Sequence, residues 1–330
     1  MSQTTPQLQI ATAPFLHRGL STRRLMWEVL ACAGSVVAAA TWFFGIAALL
    51  LVLAASLGAV LTEWAFMTER KGLGSLADGS ALLTGVLLAL TLPPATPLWM
   101  AFLGGAVGIG LGKAIWGGLG QNLFNPALVG RAFLQASFPA VLTTWTAPLA
   151  GLTTLEPSTL AAPLMHVDVT TTATPLGLAK FEGQITDLLP LLVGNTAGSL
   201  GETAGLLLIA CGLWLAVRRV FDWRLLVSSL LAVFVLSGAL YLFGPEGSPP
   251  PLFMLCSGGL LFGAVFMVTD PVTSPLTPRG AWIFGSGFGM LVVLIRLFGG
   301  LPEGVMYSIL LMNAVTPLIN RYTQPRQFGS

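Results

Sequence analysis

Apolar positions in this chain neither alternate nor keep to one helical stripe. They form continuous runs, the pattern of helices set in lipid rather than of one face packed on a soluble core. The runs cover 25–45, 46–67, 80–93, 97–117, 126–146, 203–217, 224–243, 252–269, 280–298 and 303–320. A crossing helix needs about 20 residues, so 80–93 and 203–217 are short. Short segments at membrane depth are expected as broken helices enclosed by neighbours, because lipid cannot satisfy loose backbone groups. The pattern predicts an all-α polytopic membrane protein of about ten helices. A cytoplasmic segment 1–24 precedes a first membrane half, 25–146, and a polar outer loop, 147–202. A second half, 203–320, and a cytoplasmic tail, 321–330, follow.

Cations orient this arrangement. With the N-terminus cytoplasmic, thirteen of the fifteen Lys and Arg residues fall inside, Lys113 and Arg131 among them, leaving Lys180 and Arg296 outside. Removing one span would flip every later loop and destroy this bias, so span count and orientation support each other. The first 24 residues do not resemble a cleaved signal peptide, and the first span is expected to be retained.

A repeat is also visible. Leu82-Leu83-Thr84-Gly85 leads to Thr91-Leu92-Pro93 and Pro97, while Leu260-Leu261-Phe262-Gly263 leads, at the same offsets, to Thr269-Asp270-Pro271 and Pro275. A second echo pairs Asn122-Leu123-Phe124-Asn125-Pro126 with Asn313-Ala314-Val315-Thr316-Pro317. The first copy runs outward and the second inward, which implies two inverted five-helix repeats, as in transport folds.

Composition removes other classes. The sequence has 330 residues, 55% hydrophobic and 8% charged, against about 25% charged in soluble domains. A net charge of +2 offers no field for nucleic acid. Cys32, Cys211 and Cys256 stand alone, without iron–sulfur or disulfide spacing, and His17 and His166 have no ligand-spaced partner, so no metal site is expected. The glycines Gly104, Gly105, Gly108, Gly110 and Gly112 serve close helix packing; no strand precedes them as a nucleotide fingerprint requires.

Two polar stretches could carry chemistry. In the outer loop, Asp168-Val169-Thr170-Thr171-Thr172-Ala173-Thr174-Pro175 reads either as a polar turn or as hydroxyls able to accept a phosphoester. Asn122 and Asn125, at the inner start of the fifth span, read as helix caps or as amides that could pair with the edge of a flat heterocycle. Glu63, Asp78 and Asp270 lie within or beside spans, where an acid is costly and points to function. Glu63 and Asp270 are candidates for an ion path. The alternative pairs Glu63 and Glu69 with Arg70 and Lys71, and makes Asp270 a cap before Pro271. Arg131 could pair with a buried acid or, as the default, snorkel to the inner surface.

The run Asp168 to Thr174 resembles the D-x-x-[ST]-G-A-T segment on which a flavin transferase esterifies FMN to the last threonine in Rnf and sodium-pumping NADH:quinone reductase subunits. Thr172 stands where that family usually has glycine. Asp78-Gly79-Ser80-Ala81, Gly120-Gln121-Asn122-Leu123-Phe124-Asn125-Pro126 through Arg131-Ala132-Phe133, and Thr269-Asp270-Pro271 extend the likeness to the whole chain, which is similar to the D subunits of Rnf complexes. The resemblance implies covalent FMN on Thr174, with Asp168, Thr171, Thr172 and Ala173 around it. It also implies non-covalent riboflavin at Asn122 and Asn125. The expected role is electron transfer, coupled to ion movement, within a translocase complex of the bacterial inner membrane that works between reduced ferredoxin and NAD. Expected partners are the other membrane and peripheral subunits, including a second covalent flavoprotein, and the lipid bilayer. A small-solute channel or secondary transporter is the competing class; such a protein has no need of the Thr-rich loop.

Overall fold

Helix starts follow local capping chemistry. Ser21 accepts from the Arg24 amide and opens α1 (Thr22–Phe44). Gly45, with φ of 73°, separates α1 from α2 (Ile46–Lys71), a backbone conformation suited to glycine. Asn125 and Pro126 open the fifth helix, Asp222 the seventh, and Thr277 with Pro278 the tenth.

The computed structural model describes residues 21–71, 74–148, 155, 157–163, 165, 171–244 and 247–324. After α1 and α2 come α3 (Ser80–Leu90) and α4 (Leu98–Ile109), which ends in a π-helical turn, Gly110–Ala114, then α5 (Pro126–Ser137). The loop region contains a short helical stretch, Pro175–Gly177 running into Leu178–Glu182. The second half comprises α6 (Gly205–Val217), α7 (Trp223–Phe243), α8 (Pro251–Cys256), α9 (Leu260–Phe266), α10 (Pro278–Phe298) and α11 (Val305–Thr323). The described residues contain no strand.

Among the described residues, four helices are long and apolar enough to cross a bilayer: Thr22–Phe44, Ile46–Phe66, Trp223–Phe243 and Pro278–Phe298. Ser80–Leu90, Leu98–Ala114 and Gly205–Val217 are apolar but shorter. The fifth expected span stops at Ser137, where Phe138-Pro139 breaks it, and the eighth is split by Ser257-Gly258-Gly259. Trp42, Leu53, Leu57, Trp64, Phe234 and Leu242 point outward, a lipid-facing surface rather than a wetted one.

The core is a single large apolar cluster to which both halves contribute. Within the first half α2 packs along α4 and α3, and α4 along α5; within the second α7 packs along α10 and α8, and α10 along α11. Glycines allow the closest approaches. A side chain at Gly58 would strike the Phe102 carbonyl, and one at Gly105 the Ala55 carbonyl, so α2 and α4 touch backbone to backbone.

Direction distinguishes the halves. α3 runs from a cavity lined by Ser80 and Asp270 to one lined by Thr91 and Glu202, and α9 runs the other way, with Gly259 and Phe262 at the second cavity and Phe266 at the first. Each half also has a buried cation that bonds a neighbouring helix or its end: Lys113, in the turn after α4, to the Ser80 hydroxyl of α3 at 2.6 Å, and Arg296, in α10, to the carbonyls of Met254 in α8 and of Ser257 just after it at 2.6 and 2.9 Å. The second sequence echo has no such counterpart. Asn125-Pro126 starts α5, whereas Asn313 and Pro317 lie inside α11.

Candidate functional site

The described residues form polar sites at two opposite ends of α3, α5 and α9. At the first, the Asn125 side chain accepts from the Ala127 amide at 3.0 Å, the cap that starts α5. Its amide nitrogen donates to Asp270 at 3.4 Å. Asp270 also accepts from the Val272 amide at 3.1 Å and the Thr273 hydroxyl at 3.2 Å. It lies in the connection between α9 and α10, and burial pushes its carboxyl above the ordinary range. Asn122 donates to the Phe124 carbonyl, while its own side-chain oxygen is buried without a partner.

Lys113 lines the same cavity and binds both Glu63 oxygens at 2.7 Å. Its third proton goes to Ser80, which in turn donates to Asp78 at 2.5 Å. Lys113 is a partner of Glu63 that the alternative pairing with Arg70 and Lys71 did not include; the side chains of those two residues lie outside the described ones. Glu63 and Lys113 are both fully buried, and two charges out of water hold only when each satisfies the other. Sequence separation hid this contact, since the two residues are fifty positions apart.

The space between these groups is about 60 Å³. That accommodates a few waters, not the roughly 300 Å³ or more of a cofactor pocket. The amides suit a flavin edge, but the cavity in this conformation does not fit riboflavin.

The second end is roomier. Thr171, Thr172, Ala173 and Thr174 line a cleft of about 510 Å³ together with Trp145, Phe181 and Gly300-Leu301-Pro302-Glu303. Thr172 is fixed by its amide and hydroxyl, which both donate to the Trp145 carbonyl. Thr174 is buried, and its hydroxyl oxygen accepts from the Gly177 amide at 3.1 Å, capping the stretch that Pro175 begins. Asp168 lies outside the described residues. Lys180 fastens this segment to the end of α10 by donating to the carbonyls of Arg296 at 2.8 Å, Leu301 at 3.2 Å and Gly299. Burial lowers its ammonium below the usual lysine range.

For Arg131 the acid-pairing reading holds and the default does not. Instead of snorkelling to the inner surface, it is 7% exposed and lines the Thr174 cleft with Gln135 one turn on. It donates to Glu303 at 3.4 Å. A smaller cavity shares Arg131, Gln135, Leu301 and Glu303 with the cleft and adds Glu202 and Ser199. Glu202 accepts from the Ser199 hydroxyl at 2.7 Å, in the connection before α6; burial, then nearby Glu303, pushes its carboxyl up to about 8. Ala204, two residues on, takes φ of 61°, rare without glycine. Sequence reading missed the Glu202–Arg131–Glu303 group because its members come from three distant segments. The available signal was an acid in Gly201-Glu202-Thr203 at the edge of an apolar run.

Buried ion pairs, lipid-facing helices and short helices wrapped by longer ones define the class as a helical multi-pass membrane protein. Within it, the chain belongs to the NQR2, RnfD, RnfE family, whose model matches residues 9–329. It is 40% identical over 333 residues to the D subunit of the proton-translocating ferredoxin:NAD(+) oxidoreductase complex of Clostridium ljungdahlii, covering 97% of this chain and 96% of that one. It is 40% identical over 346 residues to the D subunit of the ion-translocating oxidoreductase complex of Yersinia enterocolitica, covering 98% of each. The corresponding Escherichia coli protein is 37% identical over 345 residues, 97% of this chain and 98% of that one.

Proposed function

We propose that the chain is a membrane subunit of an ion-translocating electron-transfer complex, carrying FMN esterified to Thr174 at the outer face of the bacterial inner membrane. Family membership and the names of its relatives support the complex. The cleft beside Thr174 supports the site: it is the right size for a flavin, and the acceptor hydroxyl lies on its wall. Bound flavin would supply one- and two-electron redox chemistry.

The chain's own residues would do the rest. Thr174 would tether the group, so that none is lost to a compartment without a flavin pool. Pro175 and the capped turn hold the Thr174 backbone in one conformation. Trp145 and Phe181 offer aromatic surface to a flat ring, and Lys180 ties the tethering segment to α10. Glu63 and Asp270 are the proposed ion-path acids at the other end, with Lys113 bound to both Glu63 oxygens. Reversed chain direction of α3 and α9, together with the buried cations Lys113 and Arg296, supports a ten-span inverted arrangement, and the distribution of Lys and Arg supports cytoplasmic termini.

The observation that carries this reading is Thr174 on the wall of a 510 Å³ cleft. The denatured protein band should fluoresce as a flavin, and intact mass should exceed the chain mass by one FMN phosphoester. Thr174→Val should abolish both signals. A non-fluorescent wild-type band of unmodified mass, purified from cells with an active flavin transferase, would reject the assignment and return the transporter class to first place.

A further inference from the structure

Arg131 is an unusual residue to find inside this molecule. It is more than nine-tenths buried, and a guanidinium carries five N–H donors that cannot be neutralised by losing a proton. Its Nη2 reaches Glu303 at 3.4 Å, longer than the 2.7–2.9 Å typical of charge-assisted bonds. Its Nη1 is buried with no partner at all. Such a group is costly to keep unless something of opposite charge meets it.

Arg131 also stands in the right place for an anion. It is the one cation among the described residues lining the Thr174 cleft, where Glu303 and Glu182 are the acids. Glu182 is exposed and screened by solvent, while Glu303 is already opposite the Arg131 guanidinium. The other nearby cations are committed elsewhere, Lys180 to three carbonyls and Arg296 to two. A phosphodiester on Thr174 would carry one negative charge and oxygens matching the planar fork of an arginine.

We propose that Arg131 is an anion-binding residue of the outer cleft, held by Glu303, whose guanidinium has donors to spare for the phosphodiester of the Thr174-linked flavin and places positive charge beside it. This rests on the Thr174 reading and extends it to the residue that recognises the phosphate. Two consequences are measurable. Attachment should depend on the cation, because the phosphate of an activated flavin nucleotide must dwell near Thr174 while the transferase acts: the Thr174 oxygen bonds phosphorus, the bond to the nucleotide leaving group breaks, and the hydroxyl proton passes to solvent. The reduction potential of the attached flavin should follow the local charge, since added electrons are stabilised by a nearby cation and opposed by a nearby carboxylate.

The test uses the assembled complex carrying Arg131→Met, Arg131→Lys or Glu303→Gln. Flavin occupancy of the chain is read by intact mass, and the potential of its flavin by spectroelectrochemical titration. Arg131→Met should lower occupancy about tenfold and shift the remaining flavin to lower potential. Arg131→Lys should keep occupancy within about twofold of wild type, and Glu303→Gln should keep occupancy while raising the potential. Opposite shifts on removing the positive charge of Arg131 and the negative charge of Glu303 are what a packing defect cannot produce. Full occupancy with an unchanged potential in Arg131→Met would overturn the inference, as would shifts of the same sign in Arg131→Met and Glu303→Gln. If Arg131→Met does not assemble, an unchanged potential in Glu303→Gln overturns it alone. Absence of flavin from wild type would instead sink the Thr174 reading.

Discussion

At the scale of single residues, buried charge decides most. Glu63 and Lys113 form an ion pair where water is excluded, and breaking it by removing one member is costly. Glu63→Gln or Lys113→Met should each destabilise the protein by about 3–5 kcal/mol, whereas the double replacement Glu63→Gln with Lys113→Met should cost less than the sum. Thermal unfolding in detergent compares the three. Glu202 gives a pH signature. Its folded carboxyl titrates at about 8, above the ordinary 4.5, so the folded state holds this proton more tightly than the unfolded state does. Its contribution is complete below about pH 4.5 and is lost as pH rises through 8. The melting temperature of the wild type should therefore fall across pH 5–9 by more than that of Glu202→Gln; parallel curves would remove Glu202 as the group responsible.

At the scale of elements, the sequence located most helices but not their ends. Long runs such as 25–45 and 280–298 emerged as α1 and α10 because nothing in them competes with helix formation. Phe138-Pro139 and Ser257-Gly258-Gly259 stop helices within runs that look continuous by hydropathy, since proline and positive-φ glycine act on the backbone rather than on polarity. Glycine spacing was readable, and the structure gives its partner: α2 and α4 meet at Gly58 and Gly105 with no room for a Cβ. Gly105→Leu should separate them at a cost of about 1–3 kcal/mol or prevent folding, read as lost thermal stability with Gly34→Leu, which faces open space, as the control. The stretch Pro175–Glu182 depends on Lys180. Lys180→Met should release it, giving faster amide exchange across 175–182 while α10 remains protected; equal protection there would show that the three carbonyl contacts do not hold the segment.

At the scale of the whole molecule, the two polar sites are at opposite ends of α5, with Asn125 at its start and Gln135 ten residues on, about 15 Å along the axis. Lys180 and Arg296, the two cations that charge bias placed together on one side, touch in the fold. A reporter inserted in the exposed turn 183–187 should thus behave as external, while one fused after α11 behaves as cytoplasmic. Identical behaviour of the two fusions would reject the orientation.

Hydropathy alone determined that this is a helical membrane chain and where its longest helices lie, because each follows from the residues of one contiguous segment. Tertiary structure decided what the charges do. Lys113 meets Glu63, Arg131 turns to the Thr174 cleft rather than to the surface, and Glu202 shares a cavity with Glu303, all by bringing distant segments together. A charge is costly in a low-dielectric interior, and only the folded chain fixes which opposite charge is near enough to offset that cost.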